Sequence, residues 1–81
     1  MSISISFWSY FAELAGAAET TVDVPEGTTV ETLLATVYRD RPALAGLRRS
    51  TLIAVGVDYQ DGDYVLKPGD RVSLFPPVQG G

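Results

Sequence analysis

Residues 28–42 read Thr28-Thr29-Val30-Glu31-Thr32-Leu33-Leu34-Ala35-Thr36-Val37-Tyr38-Arg39-Asp40-Arg41-Pro42. Val30, Leu33, Leu34 and Val37 recur at i, i+3, i+4 and i+7, which is the apolar stripe of an amphipathic helix. Glu31, Thr32, Thr36 and Arg39 fall on the other side. Thr28 followed by Glu31 is the capping-box spacing that satisfies free N–H groups at a helix start. Pro42 disfavours helical angles at Arg41, so the helix is expected to end near Asp40. One helix of this length has to bury its stripe against something, and the flanking sequence supplies strands.

Upstream, Ser2, Ser4 and Ser6 alternate with Ile3, Ile5 and Phe7, a period of two that gives a strand one wet and one buried face. Tyr10 to Gly16 has the spacing of a short helical turn, closed by a glycine able to take left-handed angles. Thr20 to Val24 is β-branched and reads as a second strand paired with the first, broken by Pro25, Glu26 and Gly27. Downstream, Ala43 to Arg49 allows another short turn. Leu52 to Val57 is apolar and β-branched, as in a strand covered on both faces. Asp61, Gly62 and Asp63 mark a turn, and Tyr64 to Leu66 suits a short edge strand. Pro68-Gly69 fits a type II turn. Arg71 to Phe75 alternates again, with Val72 and Leu74 to the core. The order β, β, α, β, short β, β makes an α+β domain over residues 1–75. An N-terminal hairpin, one crossing helix and returning strands describe a β-grasp.

Composition bounds what such a domain can do. Its 81 residues hold one core, and a chain this short buries only about 60–65% of its unfolded surface. Hydrophobic content of 46% suffices for a packed globule. No apolar run approaches the roughly 20 residues that span a bilayer. The opening MSISISFW lacks the basic flank of a signal peptide, so a soluble, cytoplasmic protein without a membrane partner is expected. Ten acidic and six basic side chains give a net charge of −4, unsuited to binding nucleic acid. Cysteine and histidine are both absent, which removes thiolate nucleophiles, imidazole acid–base catalysis and Cys/His metal sites. Asp58, Asp61 and Asp63 do not have EF-hand spacing and read as a solvated turn, so no metal site is expected. Arg48 and Arg49 read as an ordinary exposed pair.

The chemistry then points to residues 76–81, Pro76-Pro77-Val78-Gln79-Gly80-Gly81. The prolines lack donors and fix φ, so they end sheet pairing and stiffen an extended, flexible tail that reaches at most about 20 Å. Gly80 and Gly81 have no Cβ and can thread a narrow channel. A terminal glycine carboxylate, once activated as an acyl-adenylate, is the least hindered of acyl electrophiles. Without activation, the same glycines read equally well as a frayed end.

The segment FPPVQGG resembles the Pro-Pro-Val-x-Gly-Gly ending of molybdopterin synthase small subunits. FWSYFAELAG and PGDRVSLF are similar to the segment after that family's first strand and to its last strand. The resemblance covers essentially the whole chain, and the rest of the sequence also suits other ubiquitin-like sulfur carriers. It implies a ubiquitin-like β-grasp with a mixed sheet of four to five strands on one main helix. It further implies that a ubiquitin-activating-type adenylyltransferase uses ATP and magnesium to adenylate Gly81. A sulfur donor protein then makes the thiocarboxylate, and sulfur passes to cyclic pyranopterin monophosphate in molybdenum cofactor biosynthesis. In this picture two small subunits join one large-subunit dimer, a heterotetramer whose catalytic side chains belong to the large subunit. The chain itself is a non-catalytic sulfur-donating subunit that binds no cofactor.

Carried over residue by residue, Gly81 is the sulfur carrier, Gly80 the threading residue, and Pro76, Pro77, Val78 and Gln79 the lead-in. Trp8, Tyr59 and Phe75 are candidates for an apolar docking patch near the tail's exit. Ala12 stands where the family often has Arg, and Gly56 where it often has Asn, so contacts made by those residues are missing here. The rivals are a carrier for thiamine, cysteine or tRNA thiolation, and a ubiquitin-like modifier joined to lysines through the same glycine. An interaction module with an inert tail is the bland alternative.

Overall fold

The computed structural model describes residues 1–77. Its elements are β1 (Ser2–Phe7), α1 (Tyr10–Ala15), β2 (Glu19–Asp23), α2 (Val30–Asp40), a 3₁₀ segment (Pro42–Ser50), β3 (Leu52–Val55), β4 (Asp58–Tyr59) and β5 (Arg71–Phe75). One five-stranded sheet runs in the order β2-β1-β5-β3-β4. β1 and β5 pair in parallel at its centre, and the remaining pairs are antiparallel. A mixed sheet with parallel central strands and one main helix on one face is the ubiquitin-like β-grasp.

Period-two alternation in β1 puts Ile3 and Ile5 at 0% exposure while its serines face out. The α2 stripe of Val30, Leu33, Leu34 and Val37 is also wholly buried, and Val72 and Leu74 complete the contact from β5. These side chains form one core on the helix side of the sheet. Gly16 closes α1 at φ 79°, taking the left-handed angles that glycine accepts most cheaply.

Three local expectations need correction. The cap of α2 is Thr29, whose hydroxyl accepts from the Thr32 amide, and not Thr28. Thr28 instead donates its hydroxyl to the Pro25 carbonyl at 2.7 Å, while its own carbonyl accepts from Leu66 N. Tyr64–Leu66 is not a strand: Val65 forms a single bridge to Thr29, because this segment's bonds go to the start of α2. The edge strand is Asp58–Tyr59, reached from β3 through a tight turn at Gly56 and Val57. Finally, β3 ends at Val55 and does not run on to Val57, and its consecutive buried residues Ile53, Ala54 and Val55 leave both faces covered there. Ile53 and Val55 join the core; Ala54, although only 7% exposed, points to the opposite face and stands outside that cluster.

Candidate functional site: the aromatic end of the open sheet face

Directly paired residues point to the same side of a sheet. The face away from α2 therefore has a row that crosses all five strands: Glu19, Ser6, Ser73, Ala54 and Tyr59. Towards the start of β1 the next row is Thr21, Ser4 and Arg71, which is polar. Towards the end of β5 it is Leu52 opposite Phe75, which is apolar. The open face is thus wet at one end and greasy at the other, and the greasy end is where Pro76 leaves the sheet.

Trp8 completes that end. Its amide donates to the Leu74 carbonyl at 3.1 Å, prolonging the β1–β5 ladder by one bond. The next residue, Ser9, turns sharply with φ 56° and ψ −142°, an uncommon conformation for a residue with a Cβ. That strained turn sends the chain into α1 and leaves the indole lying over Phe75, ring centroids 5.6 Å apart and planes 17° from parallel. A stack of this kind contributes about 0.5–1.5 kcal/mol beyond area burial. Half of Trp8 nonetheless remains exposed, as does 70% of Tyr59. Exposed aromatic surface of this kind suits contact with a partner.

Of the three aromatic residues proposed from sequence, the fold brings Trp8 and Phe75 together. Tyr59 shares their face but stands on the edge strand, two strands from β5. Leu52, half-buried beside Phe75, was missed. Its signal was phase, since Leu52 has the parity of Ala54 and the opposite parity to the core residues Ile53 and Val55. A cleft of about 280 Å³ opens at this corner, lined by Arg48, Thr51, Leu52, Tyr59, Gln60 and Asp61 among others. Pro76 and Pro77 are half-buried at the root of the tail. The lead-in residues Val78 and Gln79 and the proposed reactive residues Gly80 and Gly81 lie outside the described residues.

Charge around the cleft is partly neutralised internally. Arg48 grips Glu31 with two bonds, Nε to Oε2 at 3.1 Å and Nη2 to Oε1 at 2.8 Å. The hydrogen bond from Arg48 holds the Glu31 carboxyl below its ordinary range, slight burial opposes this, and the guanidinium charge adds to it. The same bond keeps Arg48 firmly charged. Arg48 therefore serves the fold of its own chain, tying the 3₁₀ segment to the first turn of α2. Among the described residues no group of three or more acidic side chains is placed to hold a metal ion. Nor is any described helix long and apolar enough to cross a membrane.

The ThiS family model matches residues 7–81. The chain is 33% identical to the molybdopterin synthase sulfur carrier subunit of Chlamydomonas reinhardtii, over 100% of both chains. It is 30% identical to the human protein of that name, over 98% of this chain and 93% of the other. The crystal structure of SAMP1 from Haloferax volcanii superposes with a TM-score of 0.88 at 26% identity, covering 100% of each chain.

Proposed function

The chain belongs to the ThiS family, and on that premise we propose that it is the sulfur-carrier subunit of a molybdopterin synthase. Gly81 is its working residue. A ubiquitin-activating-type enzyme adenylates the glycine carboxyl with ATP and magnesium. Sulfur from a donor protein then displaces AMP to leave a thiocarboxylate. The loaded tail enters the large subunit, where its sulfur passes to cyclic pyranopterin monophosphate. Residues 1–75 form the body that docks, 76–81 the arm that delivers, and the work takes place in the cytoplasm.

The observation that carries this reading is the half-exposed Trp8–Phe75 stack where the chain leaves β5. A carrier has to be held while a six-residue arm works at a distance, and the grip is best placed at the root of the arm. Leu52 extends that grip onto β3, and Tyr59 marks its outer limit. The absence of histidine and cysteine from the sequence fits a donor whose partner supplies the catalytic side chains.

The test is single-turnover transfer from the thiocarboxylated chain to cyclic pyranopterin monophosphate in the presence of a large subunit. Dithiolene formation is expected, and its abolition on deleting Gly80 and Gly81. Replacing both Trp8 and Phe75 by Ala is expected to weaken large-subunit binding by tenfold or more, as loss of about 2 kcal/mol at a hot spot requires. A loaded chain that binds the large subunit yet transfers no sulfur would rule the function out.

A second reading, as a protein modifier, is favoured by the full-length likeness to SAMP1, since the same Haloferax volcanii protein is described as small archaeal modifier protein 1. It uses the same activated glycine, with an amine in place of sulfur as the nucleophile.

A further inference from the structure

Glu19 opens β2 and pairs with Ser6, so its side chain rises on the same open face as Trp8. The Phe7 amide donates to the Ala18 carbonyl at 2.8 Å, which carries this pairing one residue beyond β2. Trp8 therefore stands diagonal to Glu19, at a separation of about 7–8 Å that aromatic and long side chains span. In the sheet β1 lies between β5 and β2. Phe75 stacks on the indole from the β5 side. On the β2 side a cleft of about 210 Å³ opens, lined by Ser6, Trp8, Ser9 and Glu19 among others. It adjoins the aromatic stack but differs in chemistry, having an indole wall, a carboxylate and two hydroxyls.

The fold leaves that carboxylate uncompensated. Among the described residues Glu19 makes no ion pair, whereas Glu31 is held by Arg48. Asp23, at the far end of the same strand, accepts from the Ser2 hydroxyl at 2.6 Å. Arg41 reaches this pole only from the helix side: it lies 5.5 Å over the buried Phe7 ring and donates Nε to the Ala15 carbonyl at 3.1 Å. Lys67 and Arg71 belong to the start of β5, at the opposite pole.

We propose that this cleft receives an arginine of the large subunit, its guanidinium laid against the exposed half of Trp8 and forked onto the Glu19 carboxylate. Both partners in the cleft favour arginine over lysine. A planar guanidinium stacks on an aromatic wall and meets a carboxylate with two parallel N–H bonds, which a point-like ammonium cannot do. The Ser6 and Ser9 hydroxyls accept from its remaining donors. The contact has a purpose that the aromatic stack cannot serve. An apolar grip is not directional, so the body could turn about the root of the tail. An ion pair set to one side of the stack fixes which way the sheet faces.

The inference rests on the large-subunit partnership proposed above, and the experiment separates the two. Dissociation constants for the full-length chain and the large subunit are measured at low and high salt. The unsubstituted chain is compared with Glu19→Gln and with Glu26→Gln, which removes the same charge from an exposed turn after β2. Glu19→Gln is expected to weaken binding about tenfold at low salt and less at high salt, while Glu26→Gln stays within about twofold of the unsubstituted chain. Glu19→Arg is expected to weaken it further, and an arginine-to-glutamate change at one position of the large subunit to restore it. Affinity unchanged in Glu19→Gln, an equal loss in Glu26→Gln, or no large-subunit arginine that rescues Glu19→Arg would each overturn the cleft assignment. Self-association of Glu19→Gln at unchanged large-subunit affinity would overturn it too, by making Glu19 a guard of the free β2 edge. No binding by the unsubstituted chain would instead strike at the underlying reading, and the cleft would fall with it.

Discussion

Tyr38 carries its hydroxyl into the interior, where among the described residues no group accepts or donates to it in hydrogen-bond geometry. Burial pushes the phenol's pKa up, and the Thr51 hydroxyl beside it opposes this. An orphaned hydroxyl costs more than it returns. Tyr38→Phe is therefore expected to stabilise the domain by about 1 kcal/mol, read as a higher urea midpoint at unchanged slope. The Glu31–Arg48 pair makes a different prediction. Glu31's pKa is lowered on folding, so its stabilisation is fully present above the ordinary carboxylate range and is lost as pH falls through the depressed value. The pair is solvent-screened, with 58% of the Glu31 and 33% of the Arg48 side chain exposed, so it contributes no more than about 1 kcal/mol. Glu31→Gln should cost that much at neutral pH and almost nothing once the pH has fallen below the depressed value, in paired unfolding curves. Gly62 packs hard against this pair: a Cβ there would meet Glu31 Oε1 and, at 3.2 Å, Arg48 Nη2.

At the scale of elements, the parts of the fold that depend on local periodicity were legible. The serine–isoleucine alternation of β1 and the four-residue stripe of α2 each need only one buried face, and both occur as read. Elements held by distant partners were not. Thr28 and Thr29 offer the same hydroxyl, and the choice between them is made by Leu66, which occupies the Thr28 carbonyl. Thr29→Ala is accordingly expected to cost about 1 kcal/mol through loss of the helix cap; Thr28→Ala removes a turn bond to Pro25 instead, and thermal melts of the two variants would separate the contributions. The two-residue β4 exists only because Ala54 and Val55 present a free edge to Asp58 and Tyr59. Likewise, Arg48 read as one of two idle surface charges because Glu31, 17 residues away, meets it only in the fold.

At the scale of the molecule, the proposed function draws on a polarity built into the sheet. Parallel central strands bring the ends of β1 and β5 together, so that the Trp8–Phe75 stack sits where the chain leaves the sheet. The tail motif was plain in sequence, being a short run of fixed residue types. The proposed docking face was only partly so: Phe75 and Trp8 are 67 positions apart, and only β1–β5 pairing reveals that they touch. Leu52 was hidden inside an apolar run whose two faces differ. The account depends most on the Gly81 carboxyl being the group that carries sulfur. Intact-mass analysis of the full-length chain, after incubation with its activating enzyme, ATP, magnesium and a sulfur source, tests this directly. One oxygen-to-sulfur exchange, placed on Gly81 by fragmentation, is the predicted result; an unchanged mass, while a known carrier loads beside it, would contradict the account.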